Sequence, residues 1–179
     1  MIIPLLNQSV ESFTGYVGVI DSDHAYIHLG MAFTAIVDTG TISSLYKISF
    51  KTPKLEDHLW VHWRPIGIST SAQYIEVNLY EGDSFSGGTT VPVINRNRNS
   101  TEVTSVQSIV KGSTVTLNGT LISSTGIGTE GRRTASGGGA AADQELLLKG
   151  NTNYSIGITP AGSTACLLEL FWYEEGRGV

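Results

Sequence analysis

Three segments of the 179-residue chain, 46–51, 75–79 and 154–159, alternate apolar and polar side chains. The clearest of them, residues 46–51, reads Tyr-Lys-Ile-Ser-Phe-Lys. Successive side chains of a β-strand point to opposite faces, so we expect each segment to form a half-buried strand. Because no window keeps the helical spacing of apolar residues over three turns, the pattern predicts an all-β protein.

Turn-forming runs rich in Gly, Asn, Asp and Ser separate the apolar segments, as at Glu81–Gly88 and Asn118-Gly119. About eight strands at this spacing favour a β-sandwich. The composition agrees, since only 15% of the residues are charged and 21 are glycine. At this length one domain is the simplest arrangement. The single cysteine, Cys166, cannot form an intrachain disulfide and is predicted to be a small core residue.

Two predicted strands carry apolar side chains on both faces. In Cys166–Tyr173 one face holds cysteine, two leucines and tryptophan, and the other holds Leu167, Phe171 and Tyr173 around one glutamate. Segment His58–Trp63 likewise has leucine, valine and tryptophan on one side and two histidines and a tryptophan on the other. A sandwich strand has only one core face. We therefore expect the second face to contact another subunit, in preference to cover from the same chain.

Two segments are predicted to lie outside the regular sandwich. Residues 1–30 have no clear periodicity and contain Pro4 in an apolar start, so we expect an extended N-terminal arm followed by the sandwich domain at 31–179. Residues 126–143 are rich in glycine and nearly lack large apolar side chains. Burial cannot offset the ordering entropy of such a stretch, which predicts a flexible Gly/Arg loop.

Charge and hydropathy set the expected partners. The formal net charge is −5 and the few basic residues are scattered, whereas nucleic-acid binding needs a concentrated basic surface. No stretch approaches the roughly 20 apolar residues of a membrane span. We expect a soluble protein with neither a nucleic-acid nor a membrane partner.

The tripeptide Asp38-Thr39-Gly40 is the sharpest enzymatic motif, because it is similar to the catalytic loop of aspartic proteases. In a retroviral-type protease, each subunit of a dimer supplies one such carboxylate, and the two share a proton to activate water. The same tripeptide is a good turn between strands. We expect a turn and no enzymatic activity, and keep the protease as a remote alternative.

Two histidine pairs, His24/His28 and His58/His62, have the spacing that brings two imidazoles to one metal ion on a helix. On a strand the same spacing separates them by about 13 Å. The second pair lies in a strand pattern. Asp21 and Asp23 add oxygen ligands near the first pair, whose local structure the pattern does not define. We expect no metal and no cofactor.

A series of elements in the C-terminal half resembles one known family. The elements are Val91-Pro-Val-Ile-Asn-Arg-Asn-Arg-Asn-Ser100, the glycine-rich segment 126–142, Glu145-Leu-Leu-Leu-Lys-Gly-Asn-Thr-Asn-Tyr154 and Leu167-Leu-Glu-Leu-Phe-Trp-Tyr-Glu174. Their order resembles the capsid decoration or cement proteins of tailed bacteriophages. The resemblance covers about residues 44–175. It does not extend to residues 1–41, and Arg132-Arg133 lie in a longer loop than is usual in the family.

The resemblance implies a jelly-roll-like sandwich and a structural, non-enzymatic role. It also implies a homotrimer that binds the phage major capsid protein at the virion surface and stabilises the assembled head. The residues that we expect at interfaces, from the resemblance and from the apolar pattern, are Ile2, Ile3, Leu5, Leu6, Arg96, Arg98, Arg132, Arg133, Leu167, Phe171 and Tyr173.

A carbohydrate- or receptor-binding module of a phage fibre or tail is the main alternative, because such modules also use sandwiches. Trp60, Trp63 and Trp172 would then supply stacking platforms for sugar rings. The placement of these side chains separates the two hypotheses. Tryptophans embedded in strands favour a core or an interface, and tryptophans displayed on loops favour sugar binding.

Overall fold

Two antiparallel β-sheets pack face to face in the computed structural model of this chain. The structure describes residues 9–13, 16–20, 22–54, 60–64, 67–70, 73–116, 119–127, 135–137 and 145–176. Rings of the two sheets meet at their centre, where Phe50 stacks on Trp63 with the ring centroids 4.5 Å apart. The apolar faces of both sheets therefore share one core.

The elements follow one another along the chain with a single short helix among the described residues. They are β1 (Ser9–Phe13), β2 (Tyr16–Ile20), α1 (Ser22–His28), β3 (Ala32–Ile42), β4 (Tyr46–Lys51), β5 (Trp60–Trp63), β6 (Gly67–Thr70), β7 (Ile75–Glu81), β8 (Ser84–Ser86), β9 (Thr89–Thr90), β10 (Val93–Asn95), β11 (Gln107–Lys111), β12 (Thr114–Thr116), β13 (Thr120–Ile127), β14 (Ala135–Gly137), β15 (Leu146–Leu148), β16 (Asn153–Pro160) and β17 (Thr164–Glu175).

The strand order is that of a jelly roll. One sheet, called here the β17 sheet, runs β10-β3-β17-β5-β15, with β6 and β14 continuing beside the first half of β17. The other, the β16 sheet, runs β13-β7-β16-β4-β11-β9. Strands β3 and β17, the first and last of the sandwich, are neighbours, and the chain passes repeatedly from one sheet to the other. This winding of two Greek keys is the jelly-roll arrangement, which confirms the predicted fold class.

The inner face of β17 fills the centre of the core as the alternation predicts. Cys166, Leu168, Leu170 and Trp172 are all buried there. In β5, Val61 and Trp63 are buried while the side chains between and before them face outward. The inner faces of the doubly apolar strands are therefore assigned correctly by the sequence pattern.

An excursion between β7 and β13, residues 82–119, covers the outer face of the β16 sheet. Ser113 of this excursion hydrogen-bonds to Ser49 (Oγ to Oγ, 2.7 Å), and the carbonyl of Val115 accepts from Lys47 Nζ at 3.3 Å. Burial lowers the pKa of Lys47, and the negative charge of Asp83 offsets part of this shift. Strand β4 is thus buried on both faces. Strand β16 is also buried on both faces around Ser155, whose hydroxyl contacts Asp83 of the excursion. The prediction that these two strands are half-buried is wrong, because a distant part of the chain covers them.

The same excursion is anchored to β17 through a buried carboxylate. Glu174 is fully buried and accepts hydrogen bonds from Thr104 Oγ1 at 2.5 Å, from the Ser105 amide at 2.9 Å and from Trp172 Nε1 at 3.3 Å. A buried carboxylate is strongly destabilising unless donors surround it. Glu174 therefore fixes the position of the loop at residues 104–105.

The N-terminal region is not a simple extended arm. Strands β1 and β2 pair antiparallel with each other, and α1 follows at Ser22–His28. The helix has seven residues, fewer than the three turns that a periodicity search needs. Residues 1–8 lie outside the described residues. No helix of the described chain is long and apolar enough to cross a membrane.

The glycine-rich segment also contains regular structure. Its residues Ala135–Gly137 form β14, which pairs with β6. The predicted flexible loop is therefore interrupted by a strand, because a β-ladder uses backbone groups and needs no large side chain. Residues 128–134 and 138–143 lie outside the described residues.

The burial of the tryptophans predicts a sharp difference between two substitutions. Trp172 is 0% exposed and Trp60 is 43% exposed. We expect Trp172→Ala to lower the free energy of unfolding by about 3–5 kcal/mol, because it leaves a large cavity in the core. We expect Trp60→Ala, the matched control, to cost under about 1 kcal/mol. Chemical denaturation of both variants measures the difference, and equal losses would contradict this description of the core.

Candidate functional site

The outer face of the β17 sheet carries an unusual mixture of aromatic, charged and aliphatic side chains. From β17 it displays Leu167, Glu169, Phe171, Tyr173 and Glu175, which alternate with the buried inner face. Outer faces of sandwiches are usually polar and solvated. The aromatic and aliphatic members therefore need either cover from the chain or a partner.

Tyr173 is covered within the chain. Its ring stacks on Tyr26 of α1, with centroids 4.3 Å apart, and on His62 of β5, with centroids 4.4 Å apart, so the two neighbours occupy its opposite faces. Its hydroxyl donates to Glu145 Oε1 at 2.7 Å. Only 6% of Tyr173 is exposed. The prediction of an intersubunit contact at Tyr173 is corrected here, because the chain's own helix fills that position.

His62 lies between two carboxylates. Its Nδ1 is 2.6 Å from Glu145 Oε1 and its Nε2 is 3.0 Å from Glu175 Oε2. A neutral imidazole has one N–H, so only the protonated ring can donate to both. Arg64 Nε is 3.2 Å from Glu145 Oε2. The cluster ties β5, the segment before β15 and the end of β17 together.

Burial raises the pKa of Tyr26 to about 12, with further contributions from the charge of Glu175 and a hydrogen bond to that carboxylate. A raised pKa means that folding favours the neutral phenol. The contribution of Tyr26 to the free energy of unfolding is therefore fully present below the ordinary tyrosine pKa of 10.0 and is lost as the pH rises through about 12. The contact between α1 and β17 is therefore maintained at neutral pH.

Phe171 is half-buried beneath an arginine. The Arg96 guanidinium carbon lies 4.6 Å from the centroid of the Phe171 ring, a cation–π geometry. The Arg96 amide also donates to the Ala32 carbonyl at 2.9 Å. Two of the predicted interface residues thus contact each other within one chain, while Arg98 on the same loop is exposed.

The Asn-Arg-Asn-Arg-Asn-Ser motif at 95–100 fixes the C-terminus of α1. Asn95 Nδ2 donates to the Gly30 carbonyl at 2.8 Å, and Asn97 Nδ2 donates to the His28 carbonyl at 3.0 Å. Asparagine side chains bond readily to backbone groups, and this property is the signal in the sequence. The sequence singled the motif out, but its partner helix was not predicted.

Gly30 ends the helix in a Schellman motif. The Met31 amide donates to the Tyr26 carbonyl at 2.9 Å, and the Gly30 amide donates to the Ile27 carbonyl at 3.0 Å. Gly30 has φ of +73°, and a Cβ at this position would lie 2.2 Å from Ser100 Oγ. Both the backbone conformation and the close approach of the motif at 95–100 require glycine here.

The exposed apolar side chains of the outer face form two pairs on either side of this covered centre. Leu167 is 48% exposed and Ile36 is 53% exposed, and they are diagonal neighbours across β17 and β3. Trp60 and Leu147 have the same relation across β5 and β15. Of the predicted outward apolar residues of β17, Leu167 is the one that stays open.

The Asp38-Thr39-Gly40 tripeptide lies inside β3 and not in a turn between strands. Asp38 Oδ1 accepts from the Gly40 amide at 2.8 Å, and Thr39 Oγ1 accepts from the Cys166 amide at 3.1 Å. The pairing register of β3 and β17 shifts between Ala165 and Leu167, opposite the tripeptide. Gly40 has φ of +62°. The motif therefore forms a β-bulge, where glycine provides the positive φ.

Of the four histidines, three lie among the described residues. His62 lies on strand β5, and His58 lies outside the described residues. His24 and His28 lie on helix α1, where their Nε2 atoms are 2.8 Å apart. Among the described residues no three His, Cys, Asp or Glu side chains form a group that could hold a metal ion.

Several predicted interface residues lie outside the described residues, so their place at an interface stays a prediction. They are Ile2, Ile3, Leu5, Leu6, Arg132 and Arg133. Comparison of the chain with protein-family models, with curated proteins and with solved structures finds no match.

The geometry at Gly30 predicts that Gly30→Ala destabilises the protein. The new methyl group meets Ser100, and a non-glycine residue at positive φ costs about 1–2 kcal/mol before that overlap is counted. We expect a fall of at least this size in the free energy of unfolding, measured by chemical denaturation. Gly162→Ala is the control, because the atoms nearest to its Cβ belong to the Gln73 side chain, at 3.3 Å, and are not backbone atoms. Equal stability of the two variants would show that α1 does not depend on this contact.

Proposed function

We propose that this chain is a structural protein of a bacteriophage virion, of the capsid decoration type, whose copies associate as a homotrimer. The observation that carries the proposal is the exposed Ile36–Leu167 pair on the outer face of the β17 sheet. The fold agrees with the proposal, since jelly rolls are common in viral capsids, but they also occur in lectins and do not decide function alone. The resemblance of the C-terminal half to decoration proteins supports a place in the capsid over a lectin role.

The surroundings of the pair support association between copies. Asp38 lies opposite Leu167, Glu169 lies opposite Ile36, and both carboxylates are exposed. An apolar centre with a charged rim is the usual anatomy of a protein interface. In a cyclic trimer each interface joins two different surfaces. The acidic rim of one copy would then meet basic groups of the next, such as the exposed Arg98.

A trimer would explain how a small chain binds a shell firmly. Three modest contacts with the major capsid protein, held by one rigid oligomer, act together and raise the overall affinity without any new contact. The jelly-roll frame supplies the rigidity. The proposal includes no catalytic step and no cofactor.

A carbohydrate-binding role on a phage fibre is the second candidate. Two of the three tryptophans, Trp63 and Trp172, are core residues, which favours the structural role. Trp60 favours the carbohydrate-binding role, because its half-exposed ring at the start of β5 offers a stacking platform for a sugar. A glycan array with intact protein and Trp60→Ala tests this candidate directly.

Immunogold electron microscopy of the phage that encodes the chain tests the virion proposal. Antibodies against the recombinant protein are expected to label the surface of the head. Label restricted to tail fibres would overturn the capsid assignment and support the carbohydrate-binding candidate. Absence of label from intact virions, with the antibody shown to bind the folded protein, would exclude both roles.

The association of copies is tested separately in solution. We expect the wild-type protein to run as a trimer in light scattering at micromolar concentration. The double variant Ile36→Asp/Leu167→Asp should run as a monomer with unchanged β-sheet circular dichroism, because two more carboxylates join an acidic rim. Leu121→Asp is the matched control, since Leu121 is 50% exposed on β13 of the opposite sheet. A monomeric wild-type protein, or equal dissociation of the control, would reject this interface.

A further inference from the structure

Helix α1 places two histidines side by side at the surface of the molecule. His24 and His28 are one turn apart, so their side chains lie on the same face of the helix. Their ring centroids are 4.7 Å apart and their Nε2 atoms are 2.8 Å apart, and both residues are exposed. Neither histidine belongs to the cluster around His62 or to the proposed subunit interface.

We propose that His24 and His28 form a two-nitrogen site for a divalent transition-metal ion of the copper or nickel type. In the metal-free state the short Nε2 contact is a hydrogen bond, in which one ring donates and the other accepts. To bind a metal ion through both Nε2 atoms, the donor ring carries its proton on Nδ1 instead, which breaks this hydrogen bond and leaves a lone pair on each Nε2. Neutral imidazole nitrogen is a preferred ligand of these ions.

The separation of the nitrogens is compatible with adjacent positions on one metal ion. With metal–nitrogen bonds of about 2.0–2.1 Å, a separation of 2.8 Å subtends an angle of roughly 85–90° at the metal. That angle fits adjacent positions of a square-planar or tetragonal centre, which Cu²⁺ and Ni²⁺ prefer. Intrinsic affinities also rank Cu²⁺ above Zn²⁺ for nitrogen ligands.

The helix that carries the pair is held in position by contacts described above. The His28 carbonyl accepts from Asn97 at 3.0 Å, and the Schellman motif closes the helix at Gly30, two residues after His28. The two imidazoles are therefore presented by a fixed piece of backbone. They occupy two positions of the metal, and water fills the others.

Copper titrations of the full-length protein test the site. We expect one high-affinity Cu²⁺ site by calorimetry, with an electron paramagnetic resonance spectrum that shows coupling to two nitrogens. His24→Gln and His28→Gln should each weaken the Kd by about tenfold or more and reduce the coupling to one nitrogen. Zn²⁺ should bind more weakly than Cu²⁺ to the wild-type protein. His58→Gln removes a histidine elsewhere in the chain and should leave the Kd unchanged.

A spacing control separates geometry from histidine content. The double variant His28→Gln/Leu29→His keeps two histidines in this segment but moves one to the turn after the helix, off the shared face, and Leu29 is exposed enough to accept the change. We expect it to bind Cu²⁺ as weakly as His28→Gln alone. Binding equal to the wild type in this variant, or in either single variant, would overturn the proposal. Circular dichroism confirms that each variant is folded before it is titrated.

Discussion

Strand β17 imposes the constraint on which the rest of the structure depends. It pairs with β3 along one edge and with β6 and β5 along the other, so it lies in the interior of its sheet. Its inner face carries the centre of the core. Its outer face is too apolar to remain solvated, and burial of such side chains is favourable by about 25 cal/mol per Å². The surrounding segments are arranged so that the aromatic side chains of this second face, Phe171 and Tyr173, are covered.

Cover comes from parts of the chain that are distant in sequence and is held by polar contacts. Tyr26 of α1 covers Tyr173, and Arg96 covers Phe171. The asparagine-rich motif at 95–100 joins these two contacts, because it bonds to the end of α1 and also carries Arg96. The excursion at 82–119 performs the same task for the β16 sheet. Its anchor is the buried carboxylate of Glu174, which has low energy only while its donors stay in place.

The proposed subunit contact is the part of this outer face that the chain itself leaves uncovered. Leu167 and Ile36 remain open at one end of a face on which Tyr173 is buried and Phe171 is half-buried. This packing makes the surface rigid, and a rigid surface loses little entropy when it binds a partner. The histidine pair on α1 is supported by the same motif. The proposed subunit contact and the proposed metal site therefore stand on one framework while using different residues.

Alternation along the sequence was sufficient to identify β4, β7, β16 and the inner face of β17, because the two-residue period of a strand is a local property of the chain. It could not show that Ser49 and Ser155 are buried, since their cover comes from residues more than 60 positions away. The spacing of His24 and His28 equals that of His58 and His62. Only the local fold decides whether two imidazoles meet, and α1 is too short to reveal itself by periodicity. Patterns in the sequence alone predict the strands, the sandwich and a second apolar face that needs cover. The tertiary structure decided which segment covers it and which residues stay open, because those contacts join parts of the chain that no local pattern relates.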